Sequence, residues 1–149
     1  MAKGIALTDS DRLPWLALVR KQLDIEAQKL LDMPNTRERP VYVVCGCSAL
    51  KRGYRELLSQ SSSETHVEHP LVHNDVVFVY IDVSREELVR RLAQRREHFF
   101  NPVLLDTQLD TLEVPDTIHE EAIVVDGCRP TEHVVEEAYE KIKSYVYKR

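Results

Sequence analysis

Apolar positions along the chain follow two alternating patterns. Three short runs rich in β-branched residues, Val41–Cys47, Val76–Val83 and Ala122–Asp126, predict strands. None alternates strictly between apolar and polar, which predicts strands covered on both faces, as in a parallel sheet. Around them, apolar residues recur at helical spacing. Leu16, Val19, Leu23, Ala27 and Leu30 predict a first helix over about Asp11–Met33, with Asp9 and Asp11 as caps and Pro14 in its first turn. Leu50, Tyr54, Leu57 and Leu58 form one apolar stripe after the first strand. Ser84 and Glu87 have capping-box spacing ahead of Leu88 and Leu92. Asn101 and Pro102 predict the start of a helix carrying Leu105, Leu109 and Leu112, and Pro130 opens a last helix that buries Val134, Ala138 and Ile142. Pro34–Pro40 and the polar stretch Ser59–Asn74 are the two long loops.

The order α, β, α, β, α, α, β, α predicts an α/β fold, a three-layer αβα sandwich with a parallel sheet. Three strands make a small sheet, and nothing before Asp11 supplies a fourth. At 149 residues, without an internal repeat, the chain is long enough for about one domain with a real core. A net charge of −5 speaks against a dedicated nucleic-acid binder. No apolar run reaches the roughly 18–20 residues of a membrane span, and MAKGIALTDSDR lacks the apolar core of a secretory signal. Three cysteines, two of them in one predicted strand, make no disulfide framework, so a reduced, cytoplasmic protein is expected.

Three constellations could carry chemistry. Lys51 and Arg55, four apart, lie on one flank of the helix that follows the turn Cys47-Ser48-Ala49-Leu50. A carboxylate or phosphate there would meet backbone N–H groups and two cations; a solvated basic flank is the equal alternative. Arg90, Arg91, Arg95 and Arg96 precede His98, Phe99 and Phe100. Arg91 and Arg95 share a face and could clamp a polyphosphate, or simply end a helix whose dipole favours cations. Asp9, Asp11 and Arg12 precede Pro14 and Trp15, where capping explains the aspartates. Cys45, Cys47 and Cys128 show no zinc-site spacing. A Cys47 nucleophile with His98 as base is conceivable, but buried structural thiols fit better.

Together these segments resemble the gluconokinases, small P-loop sugar-acid kinases related to shikimate and nucleoside monophosphate kinases. Gly4–Leu16 matches the family pattern G-x-P-L-x-D-x-D-R-x-P-W-L, and Cys47–Arg55 matches C-S-A-L-K-x-x-Y-R. Arg91–Phe100 matches the lid pattern R-L-x-x-R-x-G-H-F-F, and the stretch Leu104–Glu113 contains L-x-x-Q-x-x-T-L-E, with Gln108, Thr111, Leu112 and Glu113 in place. Ala6 stands where the pattern has proline and Glu97 where it has glycine. The resemblance implies ATP-dependent phosphorylation of D-gluconate at its 6-hydroxyl, with Mg²⁺. It implies a single kinase domain over residues 1–149 with a lid over about residues 91–113, and a possible homodimer. Ser48, Lys51, Tyr54 and Arg55 would line the sugar-acid side, with Asp11 and Arg12 nearby. Arg91 and Arg95 would act from the lid, and Arg91, Arg95, His98, Asp126 and Pro130 would lie on the ATP side. A shikimate-type or nucleotide kinase would change only the acceptor.

The four glycines, Gly4, Gly46, Gly53 and Gly127, begin no G-x-x-x-x-G-K-[ST] motif, whose amides cradle phosphate and whose hydroxyl holds Mg²⁺. In the family that motif precedes G-x-P-L, together with the candidate general base. A start at an internal methionine is therefore expected, with the P-loop strand missing between the strands at Val41 and Val76. Unpaired backbone and uncovered apolar faces should follow, leaving a chain of low kinase activity. The alternative is a non-catalytic remnant that binds a sugar acid or a partner chain.

Overall fold

A computed structural model describes residues 7–34, 41–60, 76–94 and 102–147. The elements are α1 (Asp9–Leu31), α2 (Arg52–Ser59), β1 (Phe78–Asp82), α3 (Arg85–Gln94), α4 (Pro102–Thr111), β2 (Ala122–Asp126) and α5 (Thr131–Tyr147). They gather into two compact units. One holds α1, the segment 41–60 with α2, and Thr111–Glu113; the other holds the sheet, α3, most of α4, and α5.

α1 starts two residues earlier than its apolar stripe predicts, because Thr8 is the cap. Thr8 Oγ1 accepts the Asp11 N–H at 3.3 Å, and the Asp11 carboxylate accepts the Thr8 N–H at 2.9 Å. This reciprocal pair satisfies two donors that a helix start leaves open. Pro14 then falls inside the helix rather than in its first turn. Beside Leu16, which is buried, the inner line of α1 carries a charged pair, Arg20 and Asp24. Arg20 Nη2 is bonded to Asp24, and Nη1 donates to the Leu58 carbonyl at 2.9 Å. That carbonyl belongs to the last turn of α2, where acceptors have no partner within the helix. Leu50, Tyr54 and Leu58 form the buried apolar line of the same unit.

β1 and β2 pair in parallel, in register from Phe78↔Ala122 to Asp82↔Asp126. β2 has the predicted bounds, and β1 is shorter than the predicted Val76–Val83. Ladder ends are set by Phe78 N donating to Glu121 O at 2.9 Å and Gly127 N to Asp82 O at 2.7 Å. In this phase Val79 and Ile81 turn their backbone groups away from β2, and Val124 turns its own away from β1. The Val124 carbonyl is taken by Lys141 of α5 at 2.8 Å, which blunts that edge. The other edge, along β1, has no partner strand among the described residues, and Val79 and Ile81 are exposed. Gly127 is required where the strands end: a methyl group there would strike the Ile81 and Val83 side chains and approach Asp82 O to 2.9 Å.

The predicted strand Val41–Cys47 is not one. No strand is formed over these residues, and Tyr42, Val43 and Val44 are exposed, Val44 to 93%. A β-branched run becomes a strand only when a neighbour takes its N–H and C=O groups, and the described residues supply none.

Removing Asp24 alone leaves a buried guanidinium without its counter-charge. Asp24→Ala should cost about 3 kcal/mol in urea unfolding. Arg20 Nε already lacks a partner among the described residues, so the paired change Arg20→Met with Asp24→Leu should fall within about 1 kcal/mol of the starting protein. An unchanged midpoint for Asp24→Ala would show that the pair is not desolvated.

Candidate active site

The N-terminus of α1 meets the start of α2 through three hydrogen bonds. Lys51 Nζ donates to both oxygens of Asp9, at 2.8 and 2.7 Å, and the Tyr54 hydroxyl donates to Asp9 Oδ1. Lys51 is the N-cap residue of α2 through its backbone, so its side chain is free to reach back to α1. The ammonium also lies 5.7 Å from the centre of the buried Tyr54 ring. Ala49, two residues earlier, has φ of 36°, a left-handed conformation uncommon outside glycine that turns the chain into the helix.

These contacts shift the groups that make them. The hydrogen bonds from Lys51 and then Tyr54 hold the Asp9 carboxyl below its usual value, with the charges of Lys51 and Arg12 adding to them. Lys51 is pushed up, first by its hydrogen bond to Asp9. Tyr54 is raised by burial and then by the bond to Asp9, against the charges of Lys51 and Arg12. Burial pushes the Cys47 thiol up, partly offset by the Ala49 N–H and the Arg12 charge. A raised thiol is a poor source of thiolate. Arg12, three residues after Asp9 on α1, has its Nε on the Leu7 carbonyl at 3.3 Å.

Arg55 is 3% exposed. Its Nη1 donates to the carbonyls of Ala49 at 3.0 Å and Glu113 at 2.9 Å, with Leu50 O at 3.4 Å. Its guanidinium thereby holds the turn from inside. Glu113 completes the clamp: its N–H donates to Leu50 O at 2.8 Å, and its carboxylate accepts the Arg52 N–H at 2.6 Å. The α2 N-terminus, which has no cap from its own residue 51, is thus capped by an acid 61 residues away.

In the second unit, Arg91 donates to Glu87 at 2.7 Å and to the Gly127 carbonyl at 2.6 Å, tying α3 to the turn after β2. Glu87 also accepts Arg90 twice at 2.6 Å, so its carboxylate is drawn to the arginines. Only the Ser84 half of the predicted capping box forms, with Ser84 Oγ accepting Glu87 N–H at 3.3 Å. Asp126 turns inward on its own loop, accepting Cys128 N–H at 2.9 Å. The Pro130 carbonyl accepts His133 and Val134 N–H groups and starts α5. Arg85 and Asp106 join α3 to α4 at 2.8 and 3.1 Å.

Of the residues proposed from sequence, the structure joins Lys51 and Tyr54 through Asp9, places Arg12 three residues after Asp9 on α1, and sets Arg55 on the carbonyls of the turn before α2. Ser48 is exposed on the same turn. Asp11 caps α1 through Thr8, and the acid facing Lys51 is Asp9. Arg95 and His98 lie outside the described residues. Asp9 and Glu113 were missed as site residues; the only sequence signal was the paired aspartates of D-x-D-R and the last letter of T-L-E. Among the described residues no group of three or more His, Cys, Asp or Glu side chains gathers as a metal site.

No family profile matches the chain. A solved gluconokinase from Sinorhizobium meliloti 1021 superimposes with a TM-score of 0.71 at 33% identity, covering 99% of this chain and 71% of that one. The fold is therefore of the P-loop-kinase-like α/β class, with a small parallel sheet. A probable gluconokinase from Xenopus tropicalis is 37% identical over 141 residues, 92% of this chain and 68% of the relative. The thermoresistant gluconokinase of Escherichia coli K12 is 32% identical over 143 residues, 96% of this chain and 70% of its own length. The chain belongs to the gluconokinase family. It spans about two thirds of the length of these relatives.

The hydrogen bonds from Arg90 and then Arg91 push the Glu87 carboxyl down from 4.5 to about 2. A lowered acid contributes stability in full above its unfolded value and loses it as pH falls. The wild type should therefore lose stability relative to Glu87→Gln between about pH 4.5 and 2. Parallel acid-unfolding curves would contradict this. Glu113→Ala should cost about 1 kcal/mol through the lost cap, measured by urea unfolding; no change would mean that α2 does not depend on it.

Proposed function

We propose that this chain carries the acceptor side of an ATP-dependent kinase that phosphorylates D-gluconate at its 6-hydroxyl. The observation that carries the reading is the convergence of the D-x-D-R and C-S-A-L-K segments. Asp9 and Arg12 come from the first, Lys51 and Tyr54 from the second, in a chain of the gluconokinase family. In this reading Lys51, Tyr54 and Arg12 meet the sugar acid, Ser48 lies beside them, and Arg55 holds the turn rather than touching substrate. Asp11 acts through the helix cap.

Arg91 serves the ATP side by fixing the turn from Gly127 to Pro130, near Asp126. Arg95 and His98 belong to the same lid, over about residues 91–113, and Arg95 would neutralise transferring phosphate. In this reading ATP supplies the phosphoryl group and Mg²⁺ accompanies it. The described helices include none long and apolar enough to cross a membrane, and a cytoplasmic location belongs to this reading as its own expectation. A homodimer belongs to the same reading.

The 149 residues contain no G-x-x-x-x-G-K-[ST] pattern, and the open edge of β1 would suit the strand that bears one. Purified as this sequence, the chain should turn over D-gluconate and ATP at least about a hundredfold more slowly than a fusion preceded by the phosphate-loop segment of the Escherichia coli relative. Equal rates would refute the proposed division of labour. The second reading is a non-catalytic chain that binds a sugar acid or a partner chain. Calorimetry separates the two: a kinase binds both gluconate and ATP, a remnant at most one.

A further inference from the structure

Asp9 has no part in the roles assigned above, yet its carboxylate is the acid that meets both Lys51 and Tyr54. Both its oxygens accept from Lys51, and one also accepts from Tyr54. The pair is charge-neutral, so Lys51 is not a free cation for an anionic ligand. Arg12 differs. It sits three residues after Asp9 on α1, hence on the same face. Its one hydrogen bond among the described residues uses Nε, leaving the two terminal nitrogens open. The cluster therefore presents one available guanidinium beside a neutral acid–ammonium pair and a phenol.

A guanidinium matches one carboxylate with two parallel N–H donors. An aspartate–lysine pair matches a different chemistry. A sugar hydroxyl both donates and accepts, so adjacent hydroxyls can donate hydrogen bonds to Asp9 and accept them from Lys51 without adding net charge. A second carboxylate has no proton to give and would meet the Asp9 charge. We propose that Asp9 is the specificity-determining residue of the acceptor site. Arg12 takes a single carboxylate, Asp9 with Lys51 and Tyr54 reads neighbouring hydroxyls, and the site selects polyhydroxy monocarboxylates against the corresponding dicarboxylates. The inference rests on the acceptor-site reading given above.

Calorimetry on the full chain near pH 7 with D-gluconate, D-glucarate and sorbitol tests it. These probes carry one, two and no carboxylates on similar carbon chains. Gluconate should bind at least about tenfold more tightly than glucarate. Asp9→Asn should weaken gluconate and shrink that ratio below about threefold. Arg12→Met should erase the preference of gluconate over sorbitol. Glucarate binding as tightly as gluconate to the wild type overturns the inference, and that comparison needs no variant to fold. An unchanged ratio in a folded Asp9→Asn variant, checked by circular dichroism, overturns it as well. If gluconate itself gives no binding, the acceptor-site reading fails and the inference falls with it; gluconate binding without discrimination refutes the inference alone.

Discussion

The ion pair between Asp9 and Lys51, reinforced by the Tyr54 hydroxyl, joins parts of the chain 42 and 45 residues apart. Its geometry depends on two local features. Thr8 must start α1 at Asp9, so that the carboxylate stands at the first helical position. Ala49 must turn the chain through a left-handed conformation, so that Lys51 precedes α2 with an extended backbone. Partly exposed ion pairs contribute little to stability on their own. This one matters for position, because it sets which groups are open to a ligand.

Much of the positive charge in this unit is committed to backbone. Arg55 holds three carbonyls and Arg20 holds the end of α2, while Glu113 closes its beginning. Both arginines are buried, where a charge without partners would be expensive. Their carbonyl partners supply the desolvated guanidinium with oriented dipoles. The helix pair α1–α2 is consequently organised around polar contacts as much as around Leu16, Tyr54 and Leu58. In the other unit Arg91 does comparable work, linking α3 to the Gly127 turn.

Much of this was legible in the apolar pattern. β2 has its predicted bounds, β1 lies inside its predicted run, and every predicted helix is present within a few residues. Val41–Cys47 failed for a reason that composition does not carry: strand formation is a property of a pair, and propensity speaks for one member. Arg20 and Asp24 were unreadable because a charged pair breaks the stripe from which burial is inferred. Which aspartate meets Lys51 turned on a cap one residue before Asp9, Thr8, which takes Asp11 into the cap and leaves Asp9 to Lys51. Glu113 could not be found from local spacing, because the helix it caps begins 61 residues earlier.

The acceptor cluster keeps this arrangement only while Lys51 and Tyr54 hold the Asp9 carboxylate in solution. The most direct measurement is the pH titration of the Asp9 side-chain carbon by NMR, in the wild type and in Lys51→Met. Asp9 should titrate below an ordinary aspartate in the wild type, and the lysine substitution should return it upward. An ordinary or raised titration in the wild type, or one that Lys51→Met leaves in place, would contradict the account.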